Sequence, residues 1–348
     1  MTTYKYTRLD WLDTAKGIGI VAVVIGHSGS SILSSYIFWF HMPLFFTISG
    51  FLMKPATSWP DLKENVIKRL KQLLIPYISF FILVFFLKVI YEISFNEFNP
   101  TSSILDVIKM VYGGQALTGF YATFWFITCL LVTQAISSII LLLSKDLKIQ
   151  IVIIGSLFFI AHIESWFSNN YIRITLPWNA DVSLIAITYF FFGYYMKLLD
   201  NKVNHKIIAP TVVIASILIL YLGYIGVFQY SLDMKYLHYN NFFLDLLIPI
   251  TLSLSVIYIS IIFSKIPLLK LMATELGISS ITIMYLHFAI RKFLELSPYY
   301  NVFTFTIVGV FIPLAVSKIL EKNNLTSFFF LGRMSKEKYV MHQKNLPS

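Results

Sequence analysis

The chain has 348 residues, of which 57% are apolar and only 13% are charged. A soluble domain usually has about 25% charged residues, because its surface must face water. Half that fraction excludes an ordinary soluble globule of this length. It indicates that a lipid bilayer surrounds most of the chain and is one of its partners.

The formal net charge is +10, yet the basic residues recur in short clusters between apolar runs. Such clusters are typical of the cytoplasmic loops of membrane proteins and not of a phosphate-binding face, so we expect no nucleic-acid partner. The single cysteine, Cys129, lies inside an apolar run, which excludes a disulfide framework and a cysteine-based metal motif. We expect no bound metal and no permanently bound cofactor.

The apolar runs predict an all-α fold, a polytopic transmembrane bundle of about ten helices. A helix needs about 20 apolar residues to cross the hydrocarbon core of a bilayer. Runs of roughly this length cover residues 14–33, 36–53, 73–91, 121–143, 149–165, 182–199, 207–228, 242–264, 277–293 and 301–319. We assign residues 1–320 to one membrane domain and residues 321–348 to a cytoplasmic tail.

The distribution of Lys and Arg between these spans indicates how the bundle is oriented. If the N-terminus lies inside, the inner segments hold twenty basic residues, and the outer segments hold five, namely Lys109, Arg173, Lys235, Arg291 and Lys292. Cytoplasmic loops of membrane proteins are enriched in Lys and Arg. The asymmetry therefore predicts that both ends of the chain lie in the cytoplasm.

The first span contains two polar residues that are costly in lipid, Lys16 and His27. They are eleven positions apart, which places both on nearly one face of a helix, about 16 Å apart along its axis. Lys16 by itself is also explained as a snorkelling residue at a helix end, and His27 as a partner in an interhelical hydrogen bond. The shared face favours a functional role for both.

The basic stretch before the third span contains Lys68, Arg69 and Lys71 on the inner side. One interpretation is topological charge or contact with anionic lipid. The other is a cytoplasmic anchor for a phosphorylated donor, because Arg is well suited to bidentate phosphate binding.

Further polar and aromatic residues fall at the outer ends of the predicted spans. Each Trp there is also explained by an aromatic belt, and His41 by the interface near the headgroups. Asp181, Asp245 and His287 are harder to explain in this way, because a polar group near lipid needs a partner. Together these residues predict a polar cavity that opens outward, formed by His41, Trp125, Asp181, Asp245 and His287.

In the second span, Ser49 and Gly50 predict close helix packing.

Six segments of the chain resemble the acyltransferase-3 family of integral membrane acyltransferases, in particular its fucose 4-O-acetylase-like branch. The pattern of a basic residue, ten intervening residues and a His, here Lys16 to His27, is specific only together with FHMPLFF. The segments are RLDWLDTAKGIGIVAVVIGH (8–27), FHMPLFFTISGFL (40–52), RLKQLLIPY (69–77), FWFITCLL (124–131), LPWNADVSLIAITYFFFGYYMK (176–197) and LGISSITIMYLH (276–287).

The resemblance implies transfer of an acyl group, usually acetyl from acetyl-CoA, to a sugar hydroxyl on the far side of a bacterial inner or plasma membrane. It implies that His27 is catalytic, with Lys16 as its partner in the motif. Arg69 and Trp125 match further positions of the family pattern. We expect the donor to meet Lys16, Lys68 and Arg69, and the carbohydrate acceptor to lie near His41, Trp125, Asp181 and His287.

Other functions fit the same polar residues. A transporter or flippase for a glycan or a lipid-linked sugar would need an aqueous path through the membrane. No pair of matching interrupted spans, as expected of inverted-repeat transporters, is evident in the sequence. A glycan polymerase and a non-catalytic partner of a polysaccharide export complex also remain, as does succinyl in place of acetyl.

Overall fold

The computed structural model of the chain describes residues 9–173, 175–239 and 241–333. The first eight residues lie outside these ranges, as does the part of the predicted tail (321–348) that follows residue 333. The described part of the chain forms fourteen α-helices joined by turns and short 3₁₀ segments. Its one strand-like feature is an isolated bridge between Asp233 and His238. The predicted all-α fold is confirmed.

The helices follow one another closely along the chain, and several are separated by only a few residues. They are α1 (Asp10–Gly26), α2 (Ser31–Phe38), α3 (His41–Phe51), α4 (Trp59–Ser94), α5 (Pro100–Tyr112), α6 (Trp125–Leu143), α7 (Leu147–Asn170), α8 (Ser183–Leu199), α9 (His205–Tyr224), α10 (Leu244–Phe263), α11 (Pro267–Ile278), α12 (Ser280–Leu294), α13 (Val302–Leu320) and α14 (Asn324–Leu331).

Eight helical segments of the described chain are long and apolar enough to cross a membrane, and α11 with α12 makes a ninth if this bent pair is one span. The first predicted span, 14–33, is not among these segments, and its predicted outer end is wrong. Helix α1 has 17 residues and ends at Gly26. Gly29, with φ of +87°, then takes a left-handed conformation that a right-handed helix cannot continue, and α2 begins at Ser31.

The predicted span 277–293 is also different, because it is only part of a broken helix pair. Helix α11 begins at Pro267, and its axis meets that of α12 at 73° around Ser279. Ion pairs hold α11 to its neighbours on both sides: Lys270 pairs with Asp10 of α1, and Glu275 pairs with Lys318 of α13. The helix on the N-terminal side of the bend, α11, is therefore fixed to α1 and α13 by ion pairs.

Large apolar side chains cover the outside of the bundle. On α9, Ile214, Ile217 and Tyr221 are each more than half exposed. A monomeric soluble protein rarely exposes contiguous apolar patches of this size. The chain is therefore a multi-pass membrane protein, in which these faces contact lipid.

Helix α1 lies inside the bundle, where it packs against α2, α3, α10, α11, α12 and α13. Beside it, α3 packs tightly on α8. A side chain at Gly50 of α3 would overlap the backbone carbonyl of Phe190, and Thr47 donates a hydrogen bond to the carbonyl of Tyr189 at 3.2 Å. The predicted packing role of Gly50 is confirmed, since only glycine permits this approach.

We predict that Gly50→Ala lowers the free energy of unfolding by about 1–3 kcal/mol, because the added methyl group forces α3 and α8 apart. The measurement is the thermal unfolding midpoint of the purified protein in detergent. Gly155→Ala is the matched control, because a methyl group at this helical position meets no atom within 4 Å. Equal midpoints for Gly50→Ala and wild type would contradict the close packing of these helices.

Candidate active site

A cavity of about 590 Å³ lies along one face of α1. The α1 residues that line it are Asp13, Lys16, Ile20, Val23 and His27. Their alternating spacing of three and four positions is that of a single helix face. The structure therefore places Lys16 and His27 on one face, as the spacing predicted, at opposite ends of a shared cavity. Its volume lies in the range of small-molecule sites.

The inner end of the cavity is rich in cations. Lys16, Arg69 of α4 and Arg333, which follows α14, all line it. The ammonium group of Lys16 lies 3.3 Å from a carboxylate oxygen of Asp13. Arg69 donates a hydrogen bond to the side-chain carbonyl of Gln72 at 3.3 Å. The lining of this end thus has three cations and one carboxylate, an excess of positive charge that can attract a multiply charged anion.

Lys68 precedes Arg69 on α4 but does not belong to the cavity lining. Successive residues of a helix are rotated by about 100°, so Lys68 and Arg69 face different directions. Lys68 is exposed at the surface of the bundle.

Three histidines meet at the outer end of the cavity. The ring of His27 stacks on that of His287 with centroids 5.4 Å apart, and its centroid is 6.4 Å from that of His41. Nδ1 of His41 lies 2.9 Å from the carbonyl oxygen of Ile37, and Nδ1 of His287 lies 2.8 Å from that of Ile283. A carbonyl only accepts, so both Nδ1 atoms donate.

The three histidine rings differ in their hydrogen bonds. Because Nδ1 of His41 and His287 holds a proton, their Nε2 atoms are the free acceptors, and that of His287 is buried without a hydrogen-bond partner. Among the described residues, no hydrogen bond holds the ring of His27. His27 and His41 line the cavity, whereas His287 is fully buried behind His27. Within the described ranges, no three His, Cys, Asp or Glu side chains are placed to hold a metal ion.

Trp125 also lines the outer end, together with residues that the sequence did not single out as site residues. Asp233, Lys235 and Tyr236 reach the cavity from the loop between α9 and α10. The ammonium group of Lys235 donates to the carbonyls of Leu117 at 2.5 Å and Ala122 at 3.0 Å. One sequence signal was present, since Lys235 is one of only five basic residues in the predicted outer segments.

The loop that contributes these residues is held in place by Arg173. Its guanidinium group donates to the side-chain carbonyl of Gln115 at 2.8 Å and lies 5.1 Å from the centre of the Tyr236 ring. These contacts position Tyr236, the last residue of a 3₁₀ turn (Met234–Tyr236), beside the cavity.

Asp181 lies elsewhere. Its carboxylate is buried and accepts hydrogen bonds from the backbone N–H groups of Val182 at 2.8 Å and Leu176 at 3.2 Å, in the segment that precedes α8. It does not line the cavity. Of the nine residues predicted for the site or its polar cavity, five line the cavity (Lys16, His27, His41, Arg69 and Trp125). His287 contacts His27. Lys68, Asp181 and Asp245 do neither, and the carboxylate of Asp245 instead lies 3.0 Å from Nε2 of His162.

Residues 9–322 match the acyltransferase-3 family, whose members share an acyltransferase domain. The nodulation protein NolL of Mesorhizobium japonicum is 35% identical over 127 residues, which are 33% of this chain and 31% of NolL. The chain thus covers about a third of the length of this relative. No solved structure matches the chain.

We predict a pH dependence of stability from Lys235. Burial lowers the pKa of Lys235 to about 8, below the value of about 10.4 in an unfolded chain. Between these values the unfolded state binds more protons, so the free energy of unfolding rises with pH from about 8 to 10. The contribution of this group is about 1–3 kcal/mol.

Chemical unfolding of the detergent-solubilised protein at several pH values measures this rise. We expect a smaller rise in Lys235→Met, which has no group that titrates there, and an unchanged rise in Lys109→Met, which alters another outer Lys that does not line the cavity. The same slope in Lys235→Met and wild type would show that Lys235 does not titrate in this range.

Proposed function

Because the chain belongs to the acyltransferase-3 family, we propose that it transfers an acetyl group from cytoplasmic acetyl-CoA to a sugar hydroxyl of an extracytoplasmic or lipid-linked polysaccharide. The observation that carries this proposal is the single cavity that joins the cations around Lys16 to the histidines around His27. The membrane in question is the plasma membrane of a bacterium.

The donor enters from the inner end. Coenzyme A carries several negative charges on its phosphate groups, and Lys16 and Arg69 provide cations at that end of the cavity. The pantetheine arm of the donor is long and uncharged. It extends along α1 past Ile20 and Val23 and brings the thioester towards His27, about 16 Å away.

His27 serves as the general base. An unprotonated ring nitrogen takes the proton of the sugar hydroxyl while the hydroxyl oxygen attacks the carbonyl carbon of the thioester. The carbon–sulfur bond then breaks, the proton passes to the departing thiolate, and the products are a sugar ester and free coenzyme A. A positioned histidine typically contributes about 10²–10⁴-fold to such a reaction.

The acceptor binds at the outer end, where aromatic and polar side chains face the same space. Trp125 and Tyr236 offer flat apolar surfaces on which a sugar ring can stack, and Asp233 and His41 offer hydrogen-bond partners for its hydroxyl groups. Asp181 has no part in this proposal, because its carboxylate is occupied by backbone N–H groups.

The lining of the middle of the cavity favours a transferase over a glycan transporter or flippase. Between the two polar ends, the walls consist of apolar side chains such as Ile20, Phe45, Leu130 and Met284. A sugar that crossed this region would lose its hydrogen bonds to water, at a cost of roughly 1–3 kcal/mol for each polar group. A pantetheine arm has one hydroxyl and two amide groups along a longer chain with more apolar atoms, so it loses less than a sugar ring that has a hydroxyl group on most of its carbons.

We predict that His27→Ala lowers acetyl transfer by about 10²–10⁴-fold. The measurement is acetate released by mild base from surface glycan, in cells that express equal membrane levels of each protein. His205→Ala is the matched control, since His205 lies at the start of α9 and outside the cavity. Equal acetate release from His27→Ala and wild type would remove His27 from catalysis.

We also predict that substitutions at the two ends of the cavity change different KM values, one for the donor and the other for the acceptor. Lys16→Gln removes a charge at the donor end and raises the KM for acetyl-CoA about tenfold, with little change in that for the acceptor. Trp125→Ala removes a stacking surface and does the reverse. If either substitution changed both KM values equally, donor and acceptor would not occupy separate ends.

A further inference from the structure

The last described helix, α14, lies beyond the region that matches the family, which ends at residue 322. It packs against α4, α12 and α13. The side chain of Asn323 accepts a hydrogen bond from the N–H group of Leu325 at 2.8 Å and so caps the start of the helix. The ring of Phe330 meets that of Phe80 edge-on, with centroids 5.1 Å apart. These contacts make α14 part of the bundle.

Gly332 ends α14 directly against α4. Its φ of +64° is in the left-handed region, and a side chain at this position would overlap the carbonyl group of Gln72. Only glycine satisfies both conditions at low cost. Gly332 therefore packs against the turn of α4 that follows Arg69. Arg333 comes directly after Gly332.

Arg333 reaches the inner end of the cavity, where Lys16 and Arg69 also line the wall. Its guanidinium group donates to a carboxylate oxygen of Glu321 at 2.9 Å. The carboxylate of Glu321 also lies 3.5 Å from Lys318 and does not line the cavity. A guanidinium group has five N–H donors, so the contact with Glu321 leaves others free to bind an anion in the cavity.

We propose that Arg333, delivered by α14, is a binding residue for the phosphate groups of the acyl donor. This inference rests on the proposed function and adds a donor-recognition element from outside the matched family domain. Glu321 holds the guanidinium group beside the cavity, and the phosphate groups of the donor take up its free N–H donors. Phosphate suits this position because planar guanidinium groups bind its oxygens in pairs.

The phosphate could also come from the headgroup of an anionic lipid at the inner surface. The experiment therefore uses the full-length protein in nanodiscs of phosphatidylcholine alone, which has no net charge. Two donors are compared: acetyl-CoA, which carries the phosphate groups, and S-acetylpantetheine, which carries none. The readout is the ratio of their kcat/KM values, together with the Kd of coenzyme A.

For Arg333→Gln we expect the ratio of kcat/KM, acetyl-CoA over S-acetylpantetheine, to fall about tenfold, and the Kd of coenzyme A to rise about tenfold. Gly332→Ala should lower the ratio as well, because it displaces Arg333 without removing a charge. Lys322→Gln removes a nearby exposed charge that does not line the cavity, and it should leave the ratio unchanged. General damage to the fold would lower both kcat/KM values and preserve the ratio.

An unchanged ratio and Kd in Arg333→Gln, with a wild type that binds coenzyme A and transfers acetyl, would overturn this inference and leave the proposed function intact. A change that appears only when anionic lipid is added would assign Arg333 to lipid and also overturn it. A wild type that neither binds coenzyme A nor uses acetyl-CoA would overturn the proposed function and this inference with it.

Discussion

The structure depends on how α1 accommodates a polar stripe inside an apolar bundle. Asp13, Lys16 and His27 all project from one face of this helix. In hydrocarbon each of them would be costly, so that face must meet protein or a cavity. The neighbouring helices surround α1 and leave a cavity along this one face. The cavity therefore lies along the face of α1 that carries its polar residues.

The same constraint explains why the two ends of the cavity differ. The inner end collects cations from three separate elements, α1, α4 and the segment after α14, whereas the outer end collects histidines and aromatic rings. The apolar wall between them separates the cations from the histidines. In the proposed function, it keeps the donor end of the cavity apart from the acceptor end. A reaction between a charged cytoplasmic donor and an extracytoplasmic sugar requires such a separation, because neither reactant needs to cross the whole membrane.

Local sequence patterns predicted much of this arrangement. Apolar length predicted the helices, and the spacing of Lys16 and His27 predicted that both lie on one face, because helical periodicity depends only on nearby residues. The end of α1 and the break at Ser279 were missed, since both lie within apolar runs whose length alone suggests an unbroken helix.

The missed site residues depend on contacts between distant parts of the chain. Lys235 reaches the cavity through carbonyls more than a hundred positions earlier, and Arg333 through the seating of Gly332 on α4. Asp181, in contrast, was predicted as a site residue but does not line the cavity. A carboxylate near lipid suggested a site, but backbone N–H groups a few positions away satisfy it. Burial alone does not distinguish a binding residue from one that is hydrogen-bonded to nearby backbone.

The central claim is that donor and acceptor reach His27 from opposite sides of the membrane. The most direct test uses proteoliposomes with a known orientation of the protein, a glycan acceptor enclosed inside and labelled acetyl-CoA supplied only outside. In vesicles in which the end of the cavity lined by Lys16 faces the external solution, we expect ester-linked label on the enclosed glycan. We expect none in vesicles without the protein. Label that appears only when donor and acceptor are on the same side would contradict the account.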